Sequence, residues 1–502
     1  MSYPVPSRRP LARSVPAPNG FPFLATGTSP TGRLPALPAG FRTCSTPGTP
    51  RPGRARRGSA HHPADGTGCP ARCPGVTPIP GTFPGRTAGG PHRRFLMTDA
   101  QPWPAWPVHT PDTERWLLDV VRSGRWAVSG AFTGRPSYEQ EFADAFARFI
   151  GVPYAVPVCN GSAALTVALE ALGVRAGDEV LVPGLTWVAC ASAVLRVGAV
   201  PVLVDISPKT LCLSVEAAAA AVTPRTRAVM AVHLHGSAVD MDALTELARR
   251  HDLAVLEDCS HVHGAAWRDR RLGSLGDAAA FSLQQTKLLT SGEGGVATTS
   301  DPAVHELLYR KRADGRGPRP DAPVGELQLA EHPGVQGYNY CMSEFGAALA
   351  LDGLGRLAEE NARRRRSMRR LEELLAGFDG AAPLSRPEAV TEDAAYQVCV
   401  RLDPDVFGPA AKHTVAAALS RELGVHVEPI DSALNRNDLY QPLASVWATG
   451  DRRRELDPAR FRLPVAEAAG ENAVVLPHRM FLAEPGRMGE IVAALEKARA
   501  AS

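Results

Sequence analysis

The chain has 502 residues, 44% of them hydrophobic, and its 55 Lys and Arg nearly balance its 52 Asp and Glu. This length suffices for a sizeable core and predicts more than one domain, or one large domain with a smaller appendage. No apolar run approaches the length that spans a bilayer, which excludes a protein built of membrane-spanning helices and predicts no membrane partner.

Residues 1–96 differ from the rest in charge and composition. They contain 13 Arg, no Lys and a single acid, so they carry +12 and leave −9 for residues 97–502. Pro and Gly make up 33 of these 96 residues without a period, which predicts a disordered extension. Arginines attract phosphates, but their scatter and the few aromatic residues argue against a nucleic-acid arm. We expect the extension to be dispensable, with Met97 as the natural start.

Two helices open the ordered part, over residues 112–123 and from Ser137 to Ile150, the second with a Ser137–Gln140 capping box and a stop at Gly151. Short apolar strands then alternate with helices. Strands are predicted at 154–158, 179–182, 200–205, 227–233, 254–258 and 278–282, and helices up to Leu172, over 186–197 and over 240–251. This alternation is typical of an α/β fold with a largely parallel sheet covered on both faces, where ligands collect at the carboxyl ends of the strands.

A long charged helix is predicted from about residue 345 to residue 376, with the basic run Arg363–Arg366 on a solvated face. Beyond it the sequence mixes helix with short strands up to Ser502. We therefore expect an N-terminal arm and a large domain over residues 97–345, followed by the linking helix and a smaller α+β domain over residues 346–502.

Cysteine usage favours a reducing compartment. Of the nine cysteines, the six beyond the extension are scattered through apolar segments and form no framework, so buried thiols in the cytoplasm are the simplest interpretation. In the extension, Cys69 and Cys73 follow His61 and His62, but this spacing matches no zinc pattern well. No metal site is expected.

Two motifs lie where predicted strands end. Asn160-Gly161-Ser162 stands at a strand-to-helix turn, where free amide groups and a small hydroxyl suit a phosphate, although many such turns are merely steric. Asp258 ends another strand, within Glu257–Gly264. An acid at this place is often a cap or a loop hydrogen-bonder, but it could also hold a protonated pyridine nitrogen.

A third motif carries a lysine. Lys287 follows the strand that ends at Ser282, in an otherwise uncharged stretch, and Ser291–Gly295 after it is rich in glycine. A lone lysine usually reaches into solvent. The glycine-rich stretch lacks the glycine spacing followed by Gly-Lys-Ser/Thr of a Walker motif, so a nucleoside triphosphatase is a poor interpretation. Together the three motifs fit pyridoxal phosphate, which needs an amine for its aldehyde, an anion beside its ring nitrogen and a cradle for its phosphate.

The order and spacing of these motifs resemble the DegT/DnrJ/StrS family of sugar and cyclitol aminotransferases, from roughly residue 100 to the C-terminus. The resemblance implies the aspartate aminotransferase-like (type I) fold of pyridoxal phosphate-dependent transferases. It also implies that Lys287 bonds the cofactor covalently and that Asp258 pairs with the pyridine nitrogen, which makes these two the catalytic residues. His261 would lie beside the phenolic oxygen of the cofactor, and Trp187 would stack on its ring.

The resemblance also assigns the phosphate site and a partner. Gly161, Ser162 and Ser282 would hold the phosphate, and Asn339 would reach the phosphate of the neighbouring subunit. That implies an obligate homodimer with two shared sites. His261 stands where many members of the family carry Gln, which bears on the subtype more than on the chemistry.

Four segments indicate a particular subgroup of this family, and they are Trp103–Pro107, Gly124–Gly130, Gln284–Lys287 and Gln336–Phe345. They are similar to the family members that aminate 2-deoxy-scyllo-inosose or scyllo-inosose with L-glutamine in aminocyclitol antibiotic pathways. The implied reaction moves the amino group of glutamine to a keto-cyclitol. Which residues bind glutamine stays open, with Arg125, Tyr340 and His478 as candidates.

Three other interpretations stay open. A dehydrating and aromatising enzyme resembling 3-amino-5-hydroxybenzoate synthase shares the Asp-x-x-His-x-His-Gly stretch and the lysine, whereas the Gln-Gln-Thr-Lys context favours a transaminase. A keto-hexose aminotransferase that acts on nucleotide-linked sugars should need a basic diphosphate subsite, which the sequence does not identify. A cofactor-bound regulator would not need the intact catalytic residues.

Overall fold

The computed structural model describes residues 101–501. The predictions for the extension over residues 1–96, and for a start at Met97, fall outside that part of the chain. Within it, no helix is both long enough and apolar enough to cross a membrane.

The described residues form sixteen short strands. In chain order they are β1 Tyr154–Val158, β2 Glu179–Pro183, β3 Val200–Val204, β4 Thr226–Val232, β5 Ala254–Asp258, β6 Ala266–Trp267, β7 Arg270–Arg271, β8 Ala278–Ser282, β9 Gly295–Thr299, β10 Gly317–Pro318, β11 Leu329–Ala330, β12 Ala381–Pro383, β13 Val390–Glu392, β14 Gln397–Leu402, β15 Glu428–Pro429 and β16 Ala473–Pro477. The six strands predicted from the sequence correspond to β1 to β5 and β8, with ends that differ by one residue at most.

Thirteen α-helices lie in the same part of the chain. They are α1 Pro111–Ser123, α2 Tyr138–Ile150, α3 Gly161–Ala171, α4 Ala189–Arg196, α5 Val215–Ala221, α6 Met241–His251, α7 Pro302–Arg312, α8 Glu344–Leu375, α9 Pro404–Phe407, α10 Lys412–Leu423, α11 Arg452–Glu455, α12 Pro464–Ala469 and α13 Met488–Ala500. Of the predicted signals around α2, the N-cap and the stop are confirmed: the Ser137 side chain accepts from the amide of Gln140, and Gly151 ends the helix in the left-handed conformation. The return bond of the capping box, from the Ser137 amide to the Gln140 side chain, stays a prediction.

Seven strands form the large sheet, in the order β1-β9-β8-β5-β4-β2-β3. The run from β3 to β8 is parallel throughout, whereas β9 runs antiparallel to both β8 and β1. The predicted, largely parallel sheet is therefore confirmed. Sequence reasoning misses β9 because Gly295–Thr299 begins with glycine and ends with two threonines, so it is not the continuous apolar run by which the other buried strands are recognised.

Helices pack on the large sheet and fix the positions of its strand ends. α3 is buried along nearly its whole length and contacts β8 and β9. Phe142 and Phe146 of α2 belong to the same core, and the ring of Phe146 meets that of Phe281 edge-on at 4.9 Å. Burial of apolar surface on this scale, at roughly 25 cal/mol per Å², holds the loops at the sheet edge in place.

A second sheet has the order β12-β14-β16-β15 and is antiparallel. It packs with α10, α13 and the C-terminal part of α8 around its own apolar cluster, which includes Leu371, Val474, Phe481 and Ile491. Helix and strand are mixed here, as the sequence predicts. The division of the chain at residue 345 stays a prediction.

The long helix α8 agrees with the predicted one, but its basic run is not a single solvated face. Arg364 is fully buried, where it donates to Asn361 Oδ1 at 2.9 Å and to Glu360 at 3.0 Å. The reason is that α8 packs against α1, α2 and α13, so it meets protein on more than one side. The prediction for Arg363–Arg366 is therefore wrong at Arg364.

Candidate active site

One cavity of about 720 Å³ opens at the carboxyl ends of β4, β5 and β8 and at the start of α3. Seven of the eight site residues predicted from the sequence line it, and they are Gly161, Ser162, Trp187, Asp258, His261, Ser282 and Lys287. The eighth, Asn339, is exposed and does not line this cavity. The seven converge because the parallel strands that precede them end at the same edge of the sheet.

The turn from β1 into α3 can receive an anion. Asn160 caps the helix, accepting from the amide of Ala163 at 2.8 Å through its side chain and from the amide of Ala164 at 3.1 Å through its carbonyl. The first amides of a helix have no intrahelical partner and carry the positive end of its dipole. Those of Gly161 and Ser162, together with the Ser162 hydroxyl, therefore form a cradle suited to a phosphate.

Two glycines allow the strand ends to close around this turn. A Cβ on Gly161 would lie 2.8 Å from the Cβ of Ser282, and a Cβ on Gly295 would lie 2.5 Å from the carbonyl of Asn160. Both distances are too short for a side chain, so glycine is required at each position. This packing explains the glycine at the end of the stretch Ser291–Gly295.

Asp258 ends β5 and is held by two hydrogen bonds. Its Oδ1 accepts from the amide of Ser260 at 3.0 Å, and its Oδ2 accepts from the thiol of Cys190 at 3.2 Å. The same thiol lies 3.2 Å from the hydroxyl of Thr186. Cys190 is one of six free cysteines in the described part, four of which are buried as expected and two half-buried. Its contact with Asp258 is invisible in the sequence, because a buried thiol inside an apolar helix has no distinguishing pattern.

Lys287 follows β8 at the end of a tight turn in which its amide donates to the carbonyl of Gln284 at 2.8 Å. Burial lowers the pKa of its amine from 10.5 to about 8, while the charges of Asp258 and Asp431 partly oppose this fall. Nζ lies 3.8 Å from the centre of the Tyr396 ring, a cation–π contact. An amine with a pKa near 8 is partly unprotonated at neutral pH, so it can attack an aldehyde.

Two buried imidazoles, His261 and His235, line the cavity with ring centroids 5.5 Å apart. Burial, followed by the charge of Lys287, lowers the pKa of His261 well below its usual value and that of His235 to about 3. Both rings are therefore neutral, each with one nitrogen that donates and one that accepts. Sequence reasoning misses His235; the only signal is its place just after a parallel strand. His263 instead bonds the Ser282 carbonyl at 2.9 Å.

Four residues in or next to strands β14 and β15 of the second sheet also line the cavity, and they are Tyr396, Gln397, Glu428 and Asp431. The side-chain Nε2 of Gln397 donates to the Glu428 carboxylate at 2.9 Å. Burial, and then the charge of Glu428, raises the pKa of Asp431. Sequence reasoning misses all four because no local spacing marks them. Glu428 and Asp431 make this wall of the cavity acidic.

The three candidates for glutamine binding lie in different places. Tyr340 lines the cavity. Arg125 is buried elsewhere and donates to Gln328 Oε1 at 2.8 Å. His478 is also buried, and its Nε2 lies 3.0 Å from the carbonyl of Thr286, so it contacts the lysine loop without lining the cavity.

A buried cluster beside β5 has the composition of a metal site but is already hydrogen-bonded. Ligand atoms of His233, Glu257 and Cys259 lie within 4.8 Å of one another. Glu257, however, accepts from His233 Nε2 at 3.2 Å and from three amides of the 273–276 loop at 2.7 to 2.9 Å. His233 Nδ1 accepts from the amide of Val239 at 3.3 Å. The cluster therefore ties the 273–276 loop to β5.

A mostly parallel sheet that brings a lysine, a carboxylate and an anion-binding turn together at its carboxyl edge defines the type I class of pyridoxal phosphate-dependent transferases. Residues 115–495 match the DegT/DnrJ/EryC1/StrS aminotransferase family, and the chain belongs to this family. The fold class and the aminotransferase activity expected from the sequence are thereby confirmed.

Curated relatives match over most of their length. The chain is 44% identical over 400 residues to L-glutamine:2-deoxy-scyllo-inosose aminotransferase of Micromonospora echinospora, covering 79% of this chain and 94% of that one. It is 45% identical over 398 residues to L-glutamine:scyllo-inosose aminotransferase of Streptomyces griseus, with the same coverage.

Solved structures agree on the fold. The crystal structure of 3-amino-5-hydroxybenzoic acid synthase matches with a TM-score of 0.70 and 31% identity, over 80% of this chain and 99% of that one. The structure of DesV from S. venezuelae matches with a TM-score of 0.65 and 30% identity, over 77% of this chain and 94% of that one.

Proposed function

We propose that this protein is a pyridoxal phosphate-dependent aminotransferase that moves the amino group of L-glutamine to a keto-cyclitol, 2-deoxy-scyllo-inosose or scyllo-inosose, in aminocyclitol antibiotic biosynthesis. The observation that carries the proposal is the convergence of Lys287, Asp258 and the α3 turn in one cavity. The names of relatives that are 43–45% identical support the choice of donor and ketone.

The residues present fit the cofactor at each of its polar positions. The α3 amides and the neighbouring serine hydroxyls would hold the phosphate, Asp258 the ring nitrogen and Lys287 the aldehyde carbon. Trp187, 50% exposed, would cover one face of the ring. The fit depends on Gly161, since any side chain there would collide with β8 where the phosphate would lie.

Pyridoxal phosphate, when bound, supplies an electron sink for the carbon that loses a proton. The Asp258 carboxylate, which the Cys190 thiol orients, would lie beside the ring nitrogen. Lys287 Nζ is the base that moves the proton, and its pKa near 8 lets it both accept and release a proton close to neutral pH. The neutral rings of His235 and His261 can bond oxygens of substrate or cofactor without adding charge.

The charges of the cavity wall favour a polyol over a nucleotide-linked sugar. The carboxylates of Glu428 and Asp431 accept hydrogen bonds from hydroxyl groups and repel a diphosphate. Arg196 also lines the cavity, where its Nε donates to the Tyr340 hydroxyl at 3.0 Å. Its guanidinium is the group that we assign to the carboxylate of glutamine.

The exposed position of Asn339, outside the cavity of its own chain, supports the homodimer that the resemblance implies. In that dimer Asn339 reaches the phosphate site of the partner. The free thiols of the described residues support a reducing, cytoplasmic location.

One assay panel tests the function. Purified protein receives glutamine with each inosose, with a nucleotide-linked keto-hexose or with no ketone, and product masses are measured. We expect an amine from an inosose, with none from Lys287→Ala and an unchanged yield from Lys209→Ala, which alters an exposed lysine. Borohydride trapping should tag Lys287. Amination of the nucleotide-linked sugar alone, or full activity of Lys287→Ala, would overturn the proposal.

A further inference from the structure

The two indoles of the Trp-Pro repeat make the same kind of bond to different parts of the molecule. Trp103 Nε1 donates to the carbonyl of Leu423 at 2.8 Å, at the end of α10. Trp106 Nε1 donates to the carbonyl of Gln285 at 3.1 Å, two residues before Lys287. Only the second indole therefore contacts the loop that carries the lysine.

A histidine from the other end of the chain bonds the next carbonyl of that loop. His478 Nε2 lies 3.0 Å from the carbonyl of Thr286, and its ring meets the Trp106 ring edge-on at 4.6 Å. Burial, and then the charge of Arg364, lowers the pKa of His478 well below its usual value, so the ring is neutral. Its single N–H must sit on Nε2 to donate to that carbonyl.

Buried Leu283 and Leu288 anchor the two ends of the lysine loop, so hydrogen bonds from elsewhere matter most for the exposed residues between them. Gln285 and Thr286 are exposed, and Thr286 is held within the loop by its amide, which donates to Gln284 Oε1 at 2.8 Å. Segments with few buried apolar contacts open at low free-energy cost. Three hydrogen bonds from outside the loop therefore hold its exposed part: those to the carbonyls of Gln285 and Thr286, and the one between the hydroxyls of Thr286 and Tyr396 at 2.7 Å.

We propose that Trp106 and His478 form a clamp, the indole–imidazole clamp, that fixes the two residues before Lys287, and that both are positioning residues for the transamination. The catalytic part of this inference rests on the proposed function, whereas the position of the loop does not. Neither residue lines the cavity, so both act through the backbone that carries Lys287.

The Trp-Pro repeat offers a matched pair of variants. Trp106→Phe and Trp103→Phe each remove one indole N–H that donates to a carbonyl, and each leaves an arginine over the ring, Arg364 at 5.3 Å or Arg487 at 4.0 Å. Trp103 is the more buried of the two, so its replacement should disturb the fold at least as much. Any effect confined to Trp106→Phe then reports on the lysine loop.

Three readouts are taken on the cofactor-loaded enzyme: hydrogen exchange of the peptide 283–289, the pH midpoint of the bound cofactor's visible band, and kcat and KM for glutamine. We expect Trp106→Phe to speed exchange of that peptide, to shift the midpoint and to lower kcat about tenfold, the equivalent of one hydrogen bond of about 1.4 kcal/mol, with KM nearly unchanged. Trp103→Phe should leave exchange and midpoint as in the wild type.

If Trp106→Phe does not fold, a second pair of variants tests whether the clamp fixes the lysine loop. His478→Gln keeps an N–H donor and should retain the wild-type exchange and midpoint, whereas His478→Leu should change both. Unchanged exchange in Trp106→Phe, or equal changes in both tryptophan variants, would overturn the clamp. Absence of transamination in the wild type would instead refute the proposed function, while the exchange data would still test the clamp.

Discussion

The reactivity of Lys287 toward an aldehyde should follow its lowered pKa in the cofactor-free enzyme. At pH 7 a lysine with a pKa of 10.5 is neutral in roughly 0.03% of molecules, whereas a pKa of about 8 makes roughly 10% neutral, a gain of roughly 300-fold. The rate of bond formation with pyridoxal phosphate should therefore rise about tenfold between pH 7 and pH 9 and then level off.

Asp258→Asn separates the electrostatics of the lysine from general damage to the site. Asp258 is the largest influence that raises the pKa of Lys287, so its neutralisation lowers this pKa and moves the midpoint below 8. Capture of the cofactor at pH 7 should become faster, although turnover should fall because the ring nitrogen loses its anion. Asp144→Asn, at an exposed position on α2, should change neither quantity.

The measurement is stopped-flow absorbance after mixing the cofactor-free enzyme with pyridoxal phosphate, from pH 6 to pH 10. A wild-type midpoint near 10.5 would show that burial does not lower the pKa of Lys287. A midpoint that rises in Asp258→Asn would show that the carboxylate does not act on the lysine through its charge.

The other predictions concern the neighbours of these two residues. Cys190→Ala removes the thiol that donates to Asp258 and should lower kcat about fivefold, the equivalent of one weak hydrogen bond of about 1 kcal/mol. Cys190→Ser keeps a donor and should retain most of the rate. Equal losses of kcat in the two variants would contradict this role. Mixed dimers of Lys287→Ala and Asn339→Ala chains should regain activity that neither variant has alone. One of their two sites then has both Lys287 from one chain and Asn339 from the other. No recovery of activity would show that Asn339 does not serve the partner's site. Asp431→Asn should raise KM for the ketone about fivefold and leave the single-turnover reaction with glutamine unchanged, and the reverse pattern would place Asp431 at the glutamine site.

The cavity residues that the sequence predicts share one structural property. Each lies at the carboxyl end of a strand of the large sheet or within five residues after it, from Gly161 behind β1 to Lys287 behind β8. Short apolar strands are recognisable locally, and parallel strands must end at a common edge, so local motifs there suffice to predict a shared site. Asn339 has no such strand before it, and its proposed role depends on a second chain.

What the sequence hides depends on contacts between distant segments. From the sequence, Cys190 is indistinguishable from an ordinary core thiol, whereas in the structure its Sγ lies 3.2 Å from Asp258 Oδ2. The sequence predicts a solvated Arg364, whereas the helices around α8 bury it. The sequence suggests His478 as a glutamine-binding residue, whereas in the structure it lies behind the lysine loop. In each case the side chain is recognisable and its neighbour is not, because the neighbour comes from far along the chain.

In the proposed function, the groups that hold the cofactor and those that select the substrate come from different parts of this chain. The groups suited to the cofactor come from the edge of the large sheet, whereas Glu428 and Asp431 come from the second sheet and its loop. Tyr396 joins the two parts, since its amide donates to the carbonyl of His261 at 3.1 Å and its hydroxyl bonds that of Thr286 at 2.7 Å. Through these two bonds Tyr396 fixes the acidic wall relative to the groups suited to the cofactor.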